Sequence, residues 1–111
     1  MSIIKTLVSV GGRYRVQPEQ VVMLVASINY TTLYLANGRQ FTIARTIRRV
    51  QESLQPYGHF VRTSRAQVIN WAYVSQRNSG ELLLQNNQII KISRRRKKEI
   101  QQTQKSFLIW F

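Results

Sequence analysis

Turn-forming residues interrupt this chain at short intervals, and they limit it to short strands joined by tight connections. Segments of strand-like composition are separated by Gly11-Gly12, Asn37-Gly38, Asn78-Ser79-Gly80 and Asn86-Asn87. An Asn-Gly pair between alternating apolar residues is a strong signal for a hairpin with a two-residue loop. The sequence therefore predicts many short antiparallel strands.

The predicted strands occupy most of the chain. The run from Val21 to Ala26 is continuously apolar, which is typical of a strand that is buried on both faces. Leu33 and Leu35 then alternate with Thr32 and Tyr34, which predicts one apolar and one polar face. The other predicted strands are Ile3 to Val10, Arg13 to Val16, a return strand with Phe41 and Ile43 on its apolar side, Trp71 to Gln76, Glu81 to Gln85 and Gln88 to Ile92.

The period becomes helical near the middle of the chain. Ile47, Val50 and Leu54 are spaced to fall on one face of a helix. Thr46 is a suitable N-cap for this helix, and Pro56-Tyr57-Gly58 ends it. A second helix, rich in basic residues, is predicted after Ser93.

These elements together predict a mainly β fold. We expect an elongated arrangement of small antiparallel sheets with one short helix and a C-terminal basic helix. A chain of 111 residues is long enough for one small core. The sequence shows no linker, low-complexity tract or internal repeat, so we expect a single domain over residues 1–111.

The predicted second helix begins with five successive cations, Arg94 to Lys98. This charge has the wrong sign for a helix N-terminus, which already carries a partial positive charge. A bound anion would relieve the conflict, since backbone N–H groups and cationic side chains would all face it. The whole chain has a formal net charge of +13, from 17 Lys and Arg against 4 Asp and Glu. Nucleic acid is the polyanion that this charge indicates.

The residue types needed for catalysis or metal binding are scarce. The chain has no Cys and one His, so thiolate chemistry, disulfides and zinc fingers are excluded. We expect His59, beside a predicted turn, to be a solvated loop residue and not a base or ligand. Paired carboxylates, HExxH, GxSxG and a phosphate-binding glycine loop are also missing. We expect no enzymatic activity, no cofactor and no metal site.

The chain contains no apolar run approaching the ~20 residues of a membrane span. Its first residues lack the long apolar region and cleavage site of a secretory signal. We therefore expect a cytoplasmic protein.

Several local motifs together resemble the LytTR family of bacterial DNA-binding domains, over residues 13–104. The matching stretches are Val21 to Tyr30, Leu35 to Gly38, the helix to Leu54, Phe60 to Asn70 and Ile92 to Arg95. The block Phe-x-Arg-x-Ser-Arg-x-x-Val-Ile-Asn, followed at the right interval by Ile-Ser-Arg-Arg, is hard to obtain by chance. The resemblance implies a mainly β transcription regulator that inserts loops into successive major grooves of double-stranded DNA, often at paired direct repeats.

The resemblance assigns three segments to DNA contact. The candidates for base contact are Asn29, Tyr30, Arg65 and Arg94. The candidates for phosphate contact are Ser64, Lys91, Ser93, Arg95, Lys97 and Lys98. An Arg can pair with both guanine acceptors in the major groove, and an Asn can pair with adenine. The structural alternatives are a turn residue at Asn29, a strand-start residue at Tyr30, a solvated charge at Arg65 and, for the segment from Ser93, a solvated helix face of mixed charge.

Some side chains keep two interpretations. Arg62 either faces DNA or points inward towards a carboxylate such as Glu52. Asn70 is better explained as a turn cap than as a DNA contact. Arg48 and Arg49 are candidates for a more distant phosphate contact.

The function also has alternatives. A structural RNA-binding protein would suit the high charge and small size equally well. A basic membrane-surface protein would use the basic run together with the apolar segment Phe107 to Phe111. That segment is otherwise expected to cover an open sheet edge or to mediate self-association.

Overall fold

The computed structural model describes residues 6–105, which form a flat body with extents of 42 × 38 × 24 Å. The elements in chain order are β1 (Val8–Gly11), β2 (Tyr14–Val16), β3 (Val21–Ser27), β4 (Tyr30–Leu35), β5 (Gln40–Ile43), α1 (Ile47–Leu54), β6 (Phe60–Ser64), β7 (Gln67–Asn70), β8 (Val74–Arg77), β9 (Glu81–Leu84), β10 (Ile89–Lys91) and α2 (Arg94–Lys105). Short 3-10 turns lie at Pro18–Gln20, Gln55–Tyr57 and Trp71–Tyr73.

The strands of the described residues form three antiparallel sheets. The central sheet has five strands in the order β5-β4-β3-β7-β6. β1 and β2 form a separate hairpin, and β10-β9-β8 form a three-stranded sheet. The predicted mainly β architecture, with one short helix and a basic C-terminal helix, is confirmed.

Strand β3 is the centre of the molecule. It pairs with β4 on one side and β7 on the other. Val21 and Leu24 face one hydrophobic core, whereas Val22 and Met23 face another. A bulge between Val21 and Met23 turns two successive residues to the second core. The prediction of a strand buried on both faces is therefore confirmed.

Each helix covers one of the two cores. Ile47, Val50 and Leu54 of α1 are buried in the first core, together with Val8 and Val10 of β1. Thr46 caps α1, because its side-chain oxygen accepts a hydrogen bond from the N–H of Arg49 at 3.4 Å. The helix predicted from the spacing of these apolar residues is confirmed.

The second core lies between the central sheet, the three-stranded sheet and α2. Its buried members include Ile69, Trp71, Leu82, Ile90 and Ile100. Burying such side chains contributes about 1.5–3 kcal/mol each relative to exposure, so this core holds α2 against the strands.

The β4–β5 connection is a hairpin, but the predicted two-residue loop is wrong. The N–H of Leu35 donates to the carbonyl of Arg39 at 2.9 Å, which leaves a three-residue loop over 36–38. A two-residue type I′ loop needs positive φ at both of its central residues. Among loop residues 36–38, only Gly38 has a positive φ, at +87°. Asn37 instead accepts the N–H of Arg39 on its side-chain oxygen, at 2.9 Å.

Two predicted strands begin later than expected. β1 begins at Val8, and residues 3–5 of the predicted strand lie outside the described residues. Trp71–Tyr73 is a 3-10 turn and not the start of a strand. Asn70 causes this turn, because its side-chain oxygen accepts the N–H of Ala72 at 3.1 Å. Its amide donates to the carbonyl of Val21 at 2.9 Å, so the prediction that Asn70 caps a turn is confirmed.

Candidate nucleic-acid interface

Three connections meet at one end of the central sheet, and we call this region the basic end. It consists of the β3–β4 loop (27–30), the β6–β7 turn (64–66) and the start of α2 (93–95). The N–H of Ala26 donates to the carbonyl of Ala66 at 2.8 Å, which joins the loop to the turn. The N–H of Ser93 donates to the carbonyl of Thr63 at 2.9 Å, which joins the turn to α2.

All four residues of the β3–β4 loop are exposed. Asn29 has a φ of +61°, a left-handed conformation that Asn tolerates better than most residues. Tyr30 is 50% exposed and Ile28 is 86% exposed. Sequence reasoning missed Ile28. The sequence signal for Ile28 was its position, because it is a large β-branched apolar residue in a turn beside Asn29.

The β6–β7 turn is held by two side chains and presents a third. Arg65 is exposed at its tip. The hydroxyl oxygen of Ser64 accepts the N–H of Ala66 at 3.3 Å. Arg62 donates from Nη2 to the carbonyl of Arg65 at 2.6 Å. These bonds fix the backbone that carries the Arg65 guanidinium.

The inward interpretation of Arg62 is correct in direction, but Glu52 is the wrong partner. Glu52 pairs instead with Arg48, one turn earlier on α1, at 3.5 Å. Burial lowers the pKa of Arg62, and the nearby charges of Arg96 and Arg48 lower it further. Among the described residues no carboxylate pairs with Arg62, and its hydrogen bond positions the turn.

The five cations at the start of α2 divide into different environments. Ser93 caps the helix, since its hydroxyl oxygen accepts the N–H of Arg96 at 3.3 Å. The side chain of Arg96 turns back to Glu99, with Nη1 and Oε2 2.9 Å apart. Lys97 is half-buried and lines a depression with Leu82 and Ile92. The exposed members of the group are Arg94, Arg95 and Lys98.

The structure brings the four base-contact candidates to the basic end. Asn29 and Tyr30 lie in the loop, Arg65 lies in the turn, and Arg94 follows Ser93. Of the phosphate candidates, Ser64, Ser93 and Arg95 lie there as well. Lys91 is exposed at the end of β10, two residues before Ser93, whereas Lys97 faces the three-stranded sheet.

His59 is not the solvated loop residue that the sequence predicts. It is half-buried, its ring lies edge-on to Trp71 with centroids 6.1 Å apart, and burial lowers its pKa. His59 precedes β6, and its carbonyl accepts the N–H of Trp71 at 2.9 Å, which brings the ring against the sheet. Across residues 6–105, no three His, Cys, Asp or Glu side chains cluster to hold a metal ion.

A β fold whose loops present exposed arginines at one end is typical of a nucleic-acid-binding domain. The family model of the LytTr DNA-binding domain matches residues 11–105, so the chain belongs to the LytTR family of DNA-binding domains. Membership of this family implies DNA binding and transcription regulation.

A solved structure with the same fold is the LytTr DNA-binding domain of a Bacillus cereus protein described as a methyl-accepting/DNA response regulator. Its TM-score is 0.70 at 18% sequence identity, and the match covers 88% of this chain and 95% of that chain. No curated protein matches this chain significantly. In the described part of the chain, no helix is long and apolar enough to cross a membrane.

Proposed function

We propose that this chain is a cytoplasmic transcription regulator that binds double-stranded DNA sequence-selectively, by inserting the loops of the basic end into the major groove. The observation that carries the proposal is the hydrogen bond between Ser93 and Thr63, at 2.9 Å. This bond supports a common DNA-facing surface for Arg65 and Arg94, because each lies one or two residues from a bonded partner. Residues 1–111 would act as one DNA-binding domain.

Sequence selectivity comes from side chains that reach base edges. Arg65 and Arg94 each pair with the two acceptors of a guanine, and Asn29 pairs with adenine. Tyr30 contributes a hydroxyl group beside Asn29. Ile28, which carries no hydrogen-bonding group, contacts the methyl group of a thymine.

Phosphate contacts supply most of the affinity without conveying sequence. The residues proposed for them are Ser64, Lys91, Ser93, Arg95, Lys97 and Lys98. Lys97 has a half-buried stem, and its ammonium group would extend past that stem to reach the backbone. The hydroxyl of Ser64 accepts a bond from Ala66 and still has its proton to donate to a phosphate oxygen.

The target proposed for the chain is a pair of direct repeats. One copy would occupy each repeat, and Phe107 to Phe111 would provide self-association. That segment lies outside the described residues. No cofactor is needed for such binding.

Selection from random duplex DNA tests the proposal and yields the target. Arg65→Ala and Arg94→Ala are each expected to weaken binding to the selected target by ~1–3 kcal/mol and to remove preference at one base pair. Titrations with the selected and a scrambled duplex measure both effects.

Arg39→Ala is the matched control. Arg39 is exposed and lies beyond the other end of β4, which is six residues long and so about 20 Å from the basic end. Equal losses on selected and scrambled duplexes would contradict base contact by Arg65 or Arg94. Tighter binding to structured RNA than to duplex DNA of equal length would favour the RNA-binding alternative.

A further inference from the structure

The order of elements in this fold occurs twice. A hairpin, a 3-10 turn, three antiparallel strands and a helix run from β1 to α1, and the same series runs from β6 to α2. We call the segment from β1 to α1 the first half and the segment from β6 to α2 the second half. The backbone bonds repeat as well. Ala36 donates to the carbonyl of Gln20 at 2.8 Å, and Gln85 donates to the carbonyl of Tyr73 at 2.8 Å. These two bonds occupy the same place in the two halves.

The two hairpins that begin the halves also match. In β1–β2 the register shifts between Ser9 and Gly11, and in β6–β7 it shifts between Arg62 and Ser64. Each hairpin packs against the helix that ends its own half, α1 on β1 and α2 on β6. The β1–β2 turn therefore corresponds to the β6–β7 turn.

The helix starts correspond in the same way. Thr46 caps α1 through the N–H of Arg49, and Ser93 caps α2 through the N–H of Arg96. Each half therefore contains a hairpin turn and a capped helix start. In the second half, the hairpin turn carries Arg65 and the helix start carries Arg94.

The pair in the first half is also basic. Arg13 is exposed in the β1–β2 turn, Arg45 precedes Thr46, and Arg49 is exposed in the first turn of α1. Among the described residues no ion pair engages these three arginines, whereas Arg48 pairs with Glu52. Their charges are available to an external anion.

Arg45 connects this region to the basic end. Its carbonyl accepts the hydroxyl proton of Thr31 at 2.7 Å, and Thr31 follows Tyr30. Its side chain lies on the β1–β2 turn, because a Cβ atom on Gly11 would be 2.9 Å from its Cδ. Two surface depressions share Arg45. One is lined by Gly11 and Gly12, and the other by Thr46 and, from α1, by Arg48, Arg49, Glu52 and Ser53.

We propose that Arg13, Arg45 and Arg49 form a second phosphate-binding unit, which holds the DNA backbone beyond the Asn29-Tyr30 loop. The inference rests on the proposed function, because it extends the same DNA-facing surface. Gly12 stands where the second half has Arg65, and its φ of +58° favours glycine. Without a side chain at this tip, the unit contacts phosphates and adds affinity without selectivity.

The salt dependence of binding tests the unit. We would measure the association constant of a random-sequence duplex of ~30 base pairs, about three helical turns, at several salt concentrations. Arg13→Gln and Arg49→Gln are each expected to reduce the slope of log K against log salt by about 0.9. Arg39→Gln removes the same charge outside the unit and is expected to leave the slope unchanged.

Hydroxyl-radical footprints on the selected target locate the contact. The unmodified chain is expected to protect a backbone segment that Arg13→Gln and Arg49→Gln leave exposed, while the base preference stays the same. Thermal unfolding checks that each variant folds. Slopes and footprints equal to those of Arg39→Gln would overturn the second unit alone. Failure of the unmodified chain to bind duplex DNA would overturn the proposed function and this inference together.

Discussion

At the scale of single residues, Arg62 connects the interior of the protein to its DNA-binding surface. Its guanidinium is partly buried near two other cations, an arrangement that disfavours its charge. The Nε atom is buried without a hydrogen-bond partner among the described residues, while Nη2 holds the carbonyl of Arg65. The fold keeps an electrostatically unfavourable side chain at the position where it orients the β6–β7 turn.

His59 makes the stability of the fold depend on pH. Burial lowers its pKa from 6.5, so the folded state favours the neutral ring. The stabilising effect is complete above pH 6.5 and is lost as the pH falls through the lower pKa of the folded state. We therefore expect the melting temperature to fall between pH 7.5 and about pH 5, as measured by circular dichroism.

His59→Gln provides the control for this pH dependence. His59 is the one His of the chain, and no other residue type titrates near pH 6 at its ordinary pKa. The variant is expected to show a flatter melting-temperature profile over this range. An identical profile in both proteins would show that protonation of His59 does not control stability.

At the scale of elements, the sequence predicted those helices and strands whose formation depends on local side-chain patterns alone. The spacing of Ile47, Val50 and Leu54 predicted α1, and the apolar run beginning at Val21 predicted β3. The 3-10 turn at Trp71–Tyr73 was missed because its capping bond from Asn70 competes with strand formation, which composition does not reveal.

The duplicated architecture left no visible signal in the sequence. The shared bonds donated by Ala36 and Gln85 join backbone groups, so they require no particular side chains. Pro18 and Trp71 occupy the same place in the two halves, as do Gln20 and Tyr73. The candidate site was predictable in part, because Arg65 and Arg94 belong to a motif, whereas the contribution of Arg45 depends on a contact with Gly11.

Ser93 is expected to serve both the stability of α2 and DNA binding, and two substitutions separate these roles. Ser93→Ala removes the N-cap and is expected to lower the free energy of unfolding by about 1 kcal/mol. Ser93→Asp keeps a capping oxygen and adds a negative charge, which is favourable at a helix N-terminus. We expect Ser93→Asp to be at least as stable as the unmodified protein but to bind duplex DNA more weakly.

Urea denaturation and duplex titration measure the two effects of Ser93 separately. Thr46→Asp makes the same change at the N-cap of α1. It tests in the same way for a phosphate at the helix start where the second phosphate-binding unit lies. Undiminished DNA binding by Ser93→Asp would argue against a phosphate close to the start of α2.

At the scale of the whole molecule, charge sets the range of the interaction with DNA. The formal net charge of +13 attracts a duplex before any loop meets a base. The cations proposed for phosphate contact at the basic end and its surroundings are Lys91, Arg95, Lys97 and Lys98. With these four contacts, log K is expected to fall against log salt with a slope of about −4.

The second phosphate-binding unit changes the expected slope for the unmodified chain. Its three arginines would bring the slope to about −6, which duplex titrations over a range of salt concentrations distinguish from about −4. Lys98→Gln is expected to reduce the steepness by about one on selected and scrambled duplexes alike. A wild-type slope shallower than about −4 would show that fewer cations meet phosphates than proposed.

The two backbone bonds at Ala66 and Ser93 have a consequence for the DNA target. They hold the β3–β4 loop, the β6–β7 turn and the α2 start at set separations, so the protein cannot stretch to follow an altered site. One inserted base pair displaces the following bases by about 3.4 Å and rotates them by about 35° around the helix axis. An insertion between two bases that this protein contacts would therefore put one of them out of phase with its side chain.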